Sequence, residues 1–315
     1  MDRDELLVTA VTLYYEFDQS QQQIADRLQI SRSSVSRLIA EARQRGIVTI
    51  QIHRSSQRDF ALEQELIESF GLQDVYVLRT SPHLDAAALL DALGVQAASY
   101  LQHVIGTLED GSTAGVAWGT SVQAAVQAIP NQFRQNIDVV QLLGGVGTLV
   151  VDSPDLARMV ATKLGGRHYD LPAPALVGQP ATRDALLSEP TVSEAIARAR
   201  VVRLAITGVG TTQEETSSFL RAGLITQSEL TALRESGAVG EMCGRFFDID
   251  GCCQNFDINQ RVVGIELEDL RKIPHVLAIA RGIAKVQSIL GALRGRFMNV
   301  LATDDVTARA ILSLA

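Results

Sequence analysis

The chain is short of the residues that most often carry catalysis, metal binding or membrane insertion. It has three cysteines, Cys243 and the adjacent pair Cys252-Cys253. That number and spacing give neither a disulfide framework nor a metal-ligand set, so reduced thiols and no metal are expected. The five histidines, at 53, 83, 103, 168 and 275, sit in unrelated contexts with no repeated acid partner. No Gly-x-Ser-x-Gly elbow is present. No apolar run reaches the ~18 residues of a membrane span, and the opening MDRDELLVTA lacks the basic-then-apolar order of a secretory signal. The expectation is a cytoplasmic protein with no membrane partner, no cofactor and no catalytic residue. Lysine is scarce too, with three (163, 272, 285) against 25 arginines.

What the chain does have is apolar bulk and an uneven charge. With 46% hydrophobic residues and a mean hydropathy of +0.13, 315 residues can bury a substantial core, divided into one small and one large domain. The net charge of −8 looks wrong for a nucleic-acid binder until it is mapped. Residues 27–54 hold six arginines (27, 32, 37, 43, 45, 54) against one acid, Glu41, a local excess of five positive charges. A basic patch on an acidic protein suffices for phosphate contact, and the acidic remainder discourages unspecific adhesion.

That patch coincides with a helical pattern. Residues 4–17 place Leu7, Ala10, Val11, Leu13, Tyr14 and Phe17 on one face. Ser20 then caps a second helix whose Ile24, Ala25 and Leu28 share a face, and Ser31 caps a third whose buried set is Val35, Leu38 and Ile39. Two helices crossing at a short turn need a small residue at the contact, and Ala25 supplies it. The third helix presents Ser31, Arg32, Ser33, Ser34, Ser36 and Arg37 at its leading end, with Arg43 and Arg45 trailing and Gln21 and Gln22 opening the helix before it. Hydroxyls and guanidinium forks reach base edges in the major groove, while trailing arginines neutralise phosphates. Residues 47–52 alternate like a strand, as the wing of a winged helix would. The DNA-binding domain is therefore placed at 1–54, a polar linker at 55–59 and an effector domain at 60–315.

From residue 60 onward, predicted helices (60–70, 85–104, 120–128, 154–164, 193–199, 226–235, 276–293, 304–314) alternate with strands (74–78, 112–117, 138–143, 175–178, 202–206, 262–266, 298–302). Such alternation predicts a Rossmann-like α/β domain with a mostly parallel sheet and ligands outside the carboxyl ends of its strands. Trp118-Gly119-Thr120-Ser121 leaves a strand and opens a helix, where backbone N–H groups and hydroxyls converge on an anion or hydroxyl site; the plainer reading is a simple N-cap. Leu143-Gly144-Gly145 and Gly208-Val209-Gly210 end apolar strands in glycine turns without forming a nucleotide fingerprint. Lys285 offers a compact charge suited to phosphate, or is a solvated helix residue. Glu241 either accepts sugar hydroxyls or is an ordinary structural carboxylate.

Taken together, LYYEFDQSQQQIADRLQISRSSVSRLIAEARQRGIVTIQI resembles the N-terminal domain of the sorbitol-operon regulator (SorC) family of bacterial transcription factors. GVAWGTS, LLGGVG, GVGTT, GEMCGRFFDIDG and ARGIAKVQSILGALRGRFMNVLATD resemble its effector domain, so the likeness runs from about residue 6 to 314. It implies a fold like the sugar-phosphate isomerases and CoA transferases, reused as a sensor. It also implies a homotetramer that binds paired operators in double-stranded DNA and responds to a sugar, polyol or sugar phosphate. Carried over by position, the effector site comprises Gly119, Thr120, Ser121, Gly144, Gly145 and Lys285, with Asp152, Arg221 and Glu241 from less defined motifs. Two positions depart from the family pattern. Leu143 stands where members sensing highly charged or aldehyde-bearing sugars can carry a basic residue, which favours a neutral polyol, free sugar or monophosphate. Gln29 stands in the turn where glycine is usual. The function expected is a sugar-responsive regulator, in the first place a repressor. The competing function is a sugar-phosphate isomerase fused to a DNA-binding domain, which would need Glu241, Asp152 or Asp248 as general base.

Overall fold

The computed structural model describes residues 3–17, 19–48, 58–81, 84–131, 133, 135–147 and 153–315, the side chains of 153–155 excepted. The chain forms two compact units, Met1–Ser55 and Ser56–Ala315.

In the first unit, α1 (Arg3–Tyr15), α2 (Gln21–Leu28) and α3 (Arg32–Gln44) pack around Leu7, Val11, Ile24, Val35, Leu38 and Ile39. Ser20 and Gln23 form a reciprocal capping box at the start of α2. Ser31 Oγ accepts from the Ser34 N–H at 3.1 Å and starts α3. Ala25, 2% exposed, sits in the buried set as the crossing requires. Gln29 ends α2 in the left-handed region, φ 55° and ψ 42°, its N–H donating to Ala25 O. A residue with a Cβ held there costs about 1 kcal/mol against glycine. Ile47 and Val48 form a bend rather than a strand, and the rest of the expected wing, 49–52, lies outside the described residues.

The second unit holds β1 (Asp74–Leu78), β2 (Thr113–Val116), β3 (Ile137–Gln141), β4 (Gly165–Tyr169), β5 (Leu204–Gly208) and β6 (Gly210–Thr211). It continues with β7 (Ala238–Met242), β8 (Arg245–Asp248), β9 (His275–Ile279) and β10 (Val300–Asp304). Seven strands form one parallel sheet in the order β1-β10-β9-β5-β2-β3-β4. Helices cover both faces, as an all-parallel sheet demands. On one side α5 (Ala86–Ile105), α6 (Thr120–Ala128) and α7 (Ser153–Leu164) bury Leu93, Leu101, Val122 and Leu156 against it. On the other, α4 (Phe60–Phe70), the helix Val286–Arg294 and the C-terminal helix Asp305–Leu312 bury Leu66, Ile289 and Ile311. Strands β6, β7 and β8 make a small antiparallel sheet.

Four differences from the sequence reading have physical causes. Segments 175–178 and 262–266 make isolated bridges, Leu176 to Val262 and Leu143 to Gly264, instead of full strands. Pro172 and Pro174, which lack an N–H, precede the first of them. The predicted helix 276–293 is two elements, because the apolar run 275–279 is β9 and a left-handed Gly282 (φ 104°) separates it from the helix that starts at Val286. Strand β4, GGRHY, has little apolar character because it is an edge strand. The β7–β8 hairpin turns on Cys243 (φ 48°) and Gly244 (φ 80°), the two positive-φ positions that a tight hairpin needs. Of the expected linker 55–59, Arg58 and Asp59 are described, and both belong to the second unit. Arg58 bridges to Leu78 and Asp59 caps α4.

Candidate DNA-reading face and ligand cavity

Helix α3 presents Arg32, Ser33, Ser36 and Arg37 to solvent while Val35, Leu38, Ile39 and Ala42 are buried. Ser31, Ser33 and Ser34 share hydroxyl contacts of 2.8 Å at its N-terminus. Arg37 reaches back to Ser33 O at 3.4 Å, and Arg32 makes no ion pair among the described residues. The trailing arginines are used differently. Arg43 donates two hydrogen bonds, 2.8 and 2.6 Å, to the Tyr15 hydroxyl. Arg45 lies 2.7 Å from Asp4 and 3.7 Å from Glu41. These contacts tie α3 to α1, while Arg43 and Arg45 remain exposed to solvent. Gln22 is partnered as well, its amide donating to Asp26 at 2.8 Å, while Gln21 stands half-buried at the first position of α2.

The second unit has a cavity of about 700 Å³ at the carboxyl ends of the adjacent strands β2, β5 and β9. Three strand exits wall it: Ala117–Ser121 after β2, Gly208–Gly210 after β5, and Ile279, Arg281 and Lys285 around β9. Glu241 and Cys243 of the hairpin, Thr216, Ser218 and Arg221, and Ala86 and Leu90 of α5 complete the lining. Gly119 precedes α6 with φ 143°, a conformation other residues rarely adopt, and no side chain caps the helix. The N-terminal N–H groups of α6 therefore face the cavity without a side-chain acceptor, an arrangement that favours an anion.

Facing them are three cations, Arg221, Arg281 and Lys285, and one carboxylate, Glu241. The Lys285 amine donates to Val209 O at 2.7 Å. Burial pulls it below the usual lysine range, Glu241 opposes that shift, and Arg221 adds to it. Burial likewise pushes the Glu241 carboxyl up, against the Gly244 N–H at 3.0 Å, Lys285 and the Ser218 hydroxyl at 3.4 Å. The Glu241 position depends on Gly210, where an added Cβ would stand 1.9 Å from Glu241 Oε1. Arg281 is held by Asp304, Nε to Oδ2 at 3.0 Å.

A family profile described as "Putative sugar-binding domain" matches residues 54–313, and one described as "MarR family" matches 11–59. The chain is 34% identical over 317 residues to the deoxyribonucleoside regulator of Bacillus subtilis (strain 168), covering 99% of each. It is 31% identical over 315 residues to the sorbitol operon regulator of Klebsiella pneumoniae, covering 99% of this chain and 98% of that one. The crystal structure of the full-length sorbitol operon regulator SorC from Klebsiella pneumoniae superposes with a TM-score of 0.77 at 30% identity over 99% of both chains. The chain belongs to the SorC family. As a member it is a DNA-binding transcriptional regulator with a sugar-binding α/β domain.

Against the site implied by the SorC resemblance, the cavity gathers Gly119, Thr120, Ser121, Arg221, Glu241 and Lys285. Gly144 and Gly145 are not part of its lining. Their N–H groups donate to Val263 O and Ala173 O, and an added Cβ on Gly144 would stand 2.4 Å from Ala173 O, so close backbone packing accounts for the first glycine. Leu143 is fully buried among Val146, Ala175 and Val262, in the apolar cluster next door. Asp152 lies outside the described residues. Asp248 accepts from the N–H groups of Asp250 and Cys252 and takes no part in the lining. Sequence reading missed Arg281, Thr216 and Ser218. Arg281-Gly282 repeats the strand–glycine–helix order of Trp118-Gly119, a signal hidden because 276–293 reads as one helix.

Proposed function

We propose that this protein represses a carbohydrate or polyol catabolic operon and is controlled by a phosphorylated sugar or polyol bound in the effector cavity. The observation that supports it is the cavity's charge: three cations and an open helix N-terminus against one carboxylate. A single phosphate would take the α6 amides, Thr120 and Ser121 with the cations. The Glu241 carboxylate, with Thr216 and Ser218, suits the hydroxyl end. Since Leu143 is buried in the neighbouring apolar cluster and is not among the residues lining the cavity, its identity carries no argument against an anion there. The domain division at 1–54 and 60–315 belongs to this reading, as does action in the cytoplasm beside the chromosome. So does a homotetramer whose paired recognition helices face half-sites ~34 Å apart or multiples of that.

The cavity on this reading binds and does not turn over. Glu241, the one carboxylate of the lining, is held by the Gly244 N–H and the Ser218 hydroxyl, and Asp248 is spent on a turn outside it. Among the described residues, no second carboxylate therefore stands beside a sugar C1–C2 unit to share acid and base roles. A thermal-shift screen of sugars, polyols and their phosphates tests the proposal. A ligand at 100 times its Kd adds about 2.7 kcal/mol of stability. A shift from phosphorylated compounds above their parent sugars supports it. A shift from parent sugars alone, or isomerised product after incubation, overturns it.

A further inference from the structure

The wall of the cavity is connected to the place where the DNA-reading unit joins the second one. Arg281 faces the cavity and is paired with Asp304 at 3.0 Å. Asp304 is the N-cap of the C-terminal helix, accepting from the Thr307 N–H at 2.7 Å, and Thr307 Oγ1 in turn accepts from the Gly282 N–H at 2.7 Å. The first turn of that helix is thus fastened twice to the Arg281-Gly282 dipeptide. Its outer side is fastened elsewhere. Asp305 accepts from the Thr80 N–H at 2.9 Å, and Arg309, one turn further on, lies 3.5 Å from Asp59.

Asp59 and Arg58 are the first described residues of the second unit, directly after the stretch that joins it to the first. Asp59 is buried, and its carboxylate lies between Arg309 and Arg79, the latter at 3.4 Å. Arg58 is clamped on Glu63 by two 2.8 Å hydrogen bonds and lies 4.0 Å over the Tyr76 ring. Glu63 also accepts from the Val77 N–H, and the Asp59 N–H donates to Val77 O. Arg58 and Asp59 are therefore gripped by β1, α4 and the C-terminal helix together.

We propose that the C-terminal helix is the lever that carries ligand occupancy from Arg281 to Asp59, and so to the DNA-reading unit. The proposal rests on an anion occupying the cavity, as read above. An anion competes with Asp304 for the Arg281 guanidinium. When Arg281 turns to the ligand, the N-cap carboxylate loses its partner and the first turn of the helix resettles. The Arg309–Asp59 and Asp305–Thr80 contacts lie on the outward side of that helix, and they report the change at Asp59 and the end of β1. Such a helix shifts an equilibrium only if the ligand interacts differently with its two settings, and competition for Arg281 supplies that difference. Arg309 is well exposed, 62% at its side chain, so as a surface pair it adds little to stability and its removal does not threaten the fold.

Hydrogen exchange on the full chain tests the lever, with inorganic phosphate as the probe against potassium chloride at equal ionic strength. Phosphate is expected to slow exchange at Ser121 and Val122 and to alter exchange at Asp59 and Val77 about threefold or more, the size of a modest change in local opening. Arg309→Ala should keep the first effect and lose the change at Asp59, and Arg309→Lys should restore it. A wild-type response confined to Ser121 and Val122 overturns the lever and leaves the anion site standing. So does an Arg309→Ala protein in which both responses persist. No response at either place overturns the anion reading and the lever with it.

Discussion

The protein uses positive charge in two ways. On α3, Arg32 and Arg37 stand in solvent and form no ion pair among the described residues. Around the cavity, Lys285 and Arg281 are fixed by Val209 O and Asp304, and Lys285 is pulled down from its usual range by burial and sits against a buried carboxylate. Exposed arginines on a helix can follow the groove of a polyanion, and salt weakens them in proportion to the phosphates they meet. Enclosed cations carry partners of their own, and an anion must fit among them and compete for them. On the proposed reading, one region supplies affinity for a long polymer, and the other supplies choice among small molecules.

The enclosed region should be the less tolerant of the two, and substitutions can break that contrast. Gly210→Ala places a Cβ where Glu241 Oε1 stands. It should cost about 1–3 kcal/mol of stability by overpacking and remove the ligand-induced thermal shift. A protein that unfolds and binds as before would show that the cavity adapts. On the exposed face, Arg32→Ala or Arg37→Ala should cost about 1–3 kcal/mol in binding a selected DNA site, at fixed salt, if the residue reads a base. Arg43→Ala should behave differently, lowering the melting point of the first unit by loss of the Tyr15 bonds, worth roughly 0.5–1.5 kcal/mol, with a smaller change in DNA selectivity. Equal DNA losses for Arg32 and Arg43 would erase the distinction between reading and bracing arginines.

Smaller still is the turn. Gln29→Gly should stabilise the first unit by up to about 1 kcal/mol, less the unfolded-state entropy of glycine, and leave DNA affinity unchanged. Chemical denaturation measures it, and a destabilised variant would contradict the cost assigned to that φ. The weakest effect expected is on acid stability. Arg45 holds the Asp4 carboxyl below its ordinary 3.8, and Arg3 holds Glu41 below 4.5. Such carboxylates contribute fully above their unfolded values and lose that contribution as pH falls through the lower folded values. Arg45→Gln should flatten the fall in melting temperature of the first unit below about pH 4.5, and an unchanged profile would show the pair to be inert.

The first unit was the more legible of the two in the sequence, because short helices with serine caps announce both their ends and their buried faces. Ser20, Ala25, Ser31 and Val35 stand where their residue types predict. Side-chain partners were not legible: nothing in the spacing of Arg43 and Arg45 shows that Tyr15 and Asp4 will fold back onto them. In the second unit the motifs around Thr120, Glu241 and Lys285 converge on the cavity. The Gly144-Gly145 turn has the same local signature but lies outside the lining, with Gly144 packed against Ala173 O; a glycine needed for a ligand and one needed for a neighbouring carbonyl look alike in sequence. Arg281 escaped notice because an apolar strand and an apolar helix, separated by only six residues, read as one hydrophobic run.

On the proposed reading, occupancy of the cavity controls DNA binding through the charges that line it. The direct measurement is fluorescence anisotropy of the full chain on a fragment selected from random DNA, at fixed salt, with and without the phosphorylated compound that gives the largest thermal shift. The account predicts that the compound weakens wild-type binding, and that Lys285→Met binds the DNA equally well but no longer responds. If Lys285→Met answers the compound as the wild type does, or if the compound leaves wild-type DNA binding unchanged, the account is contradicted.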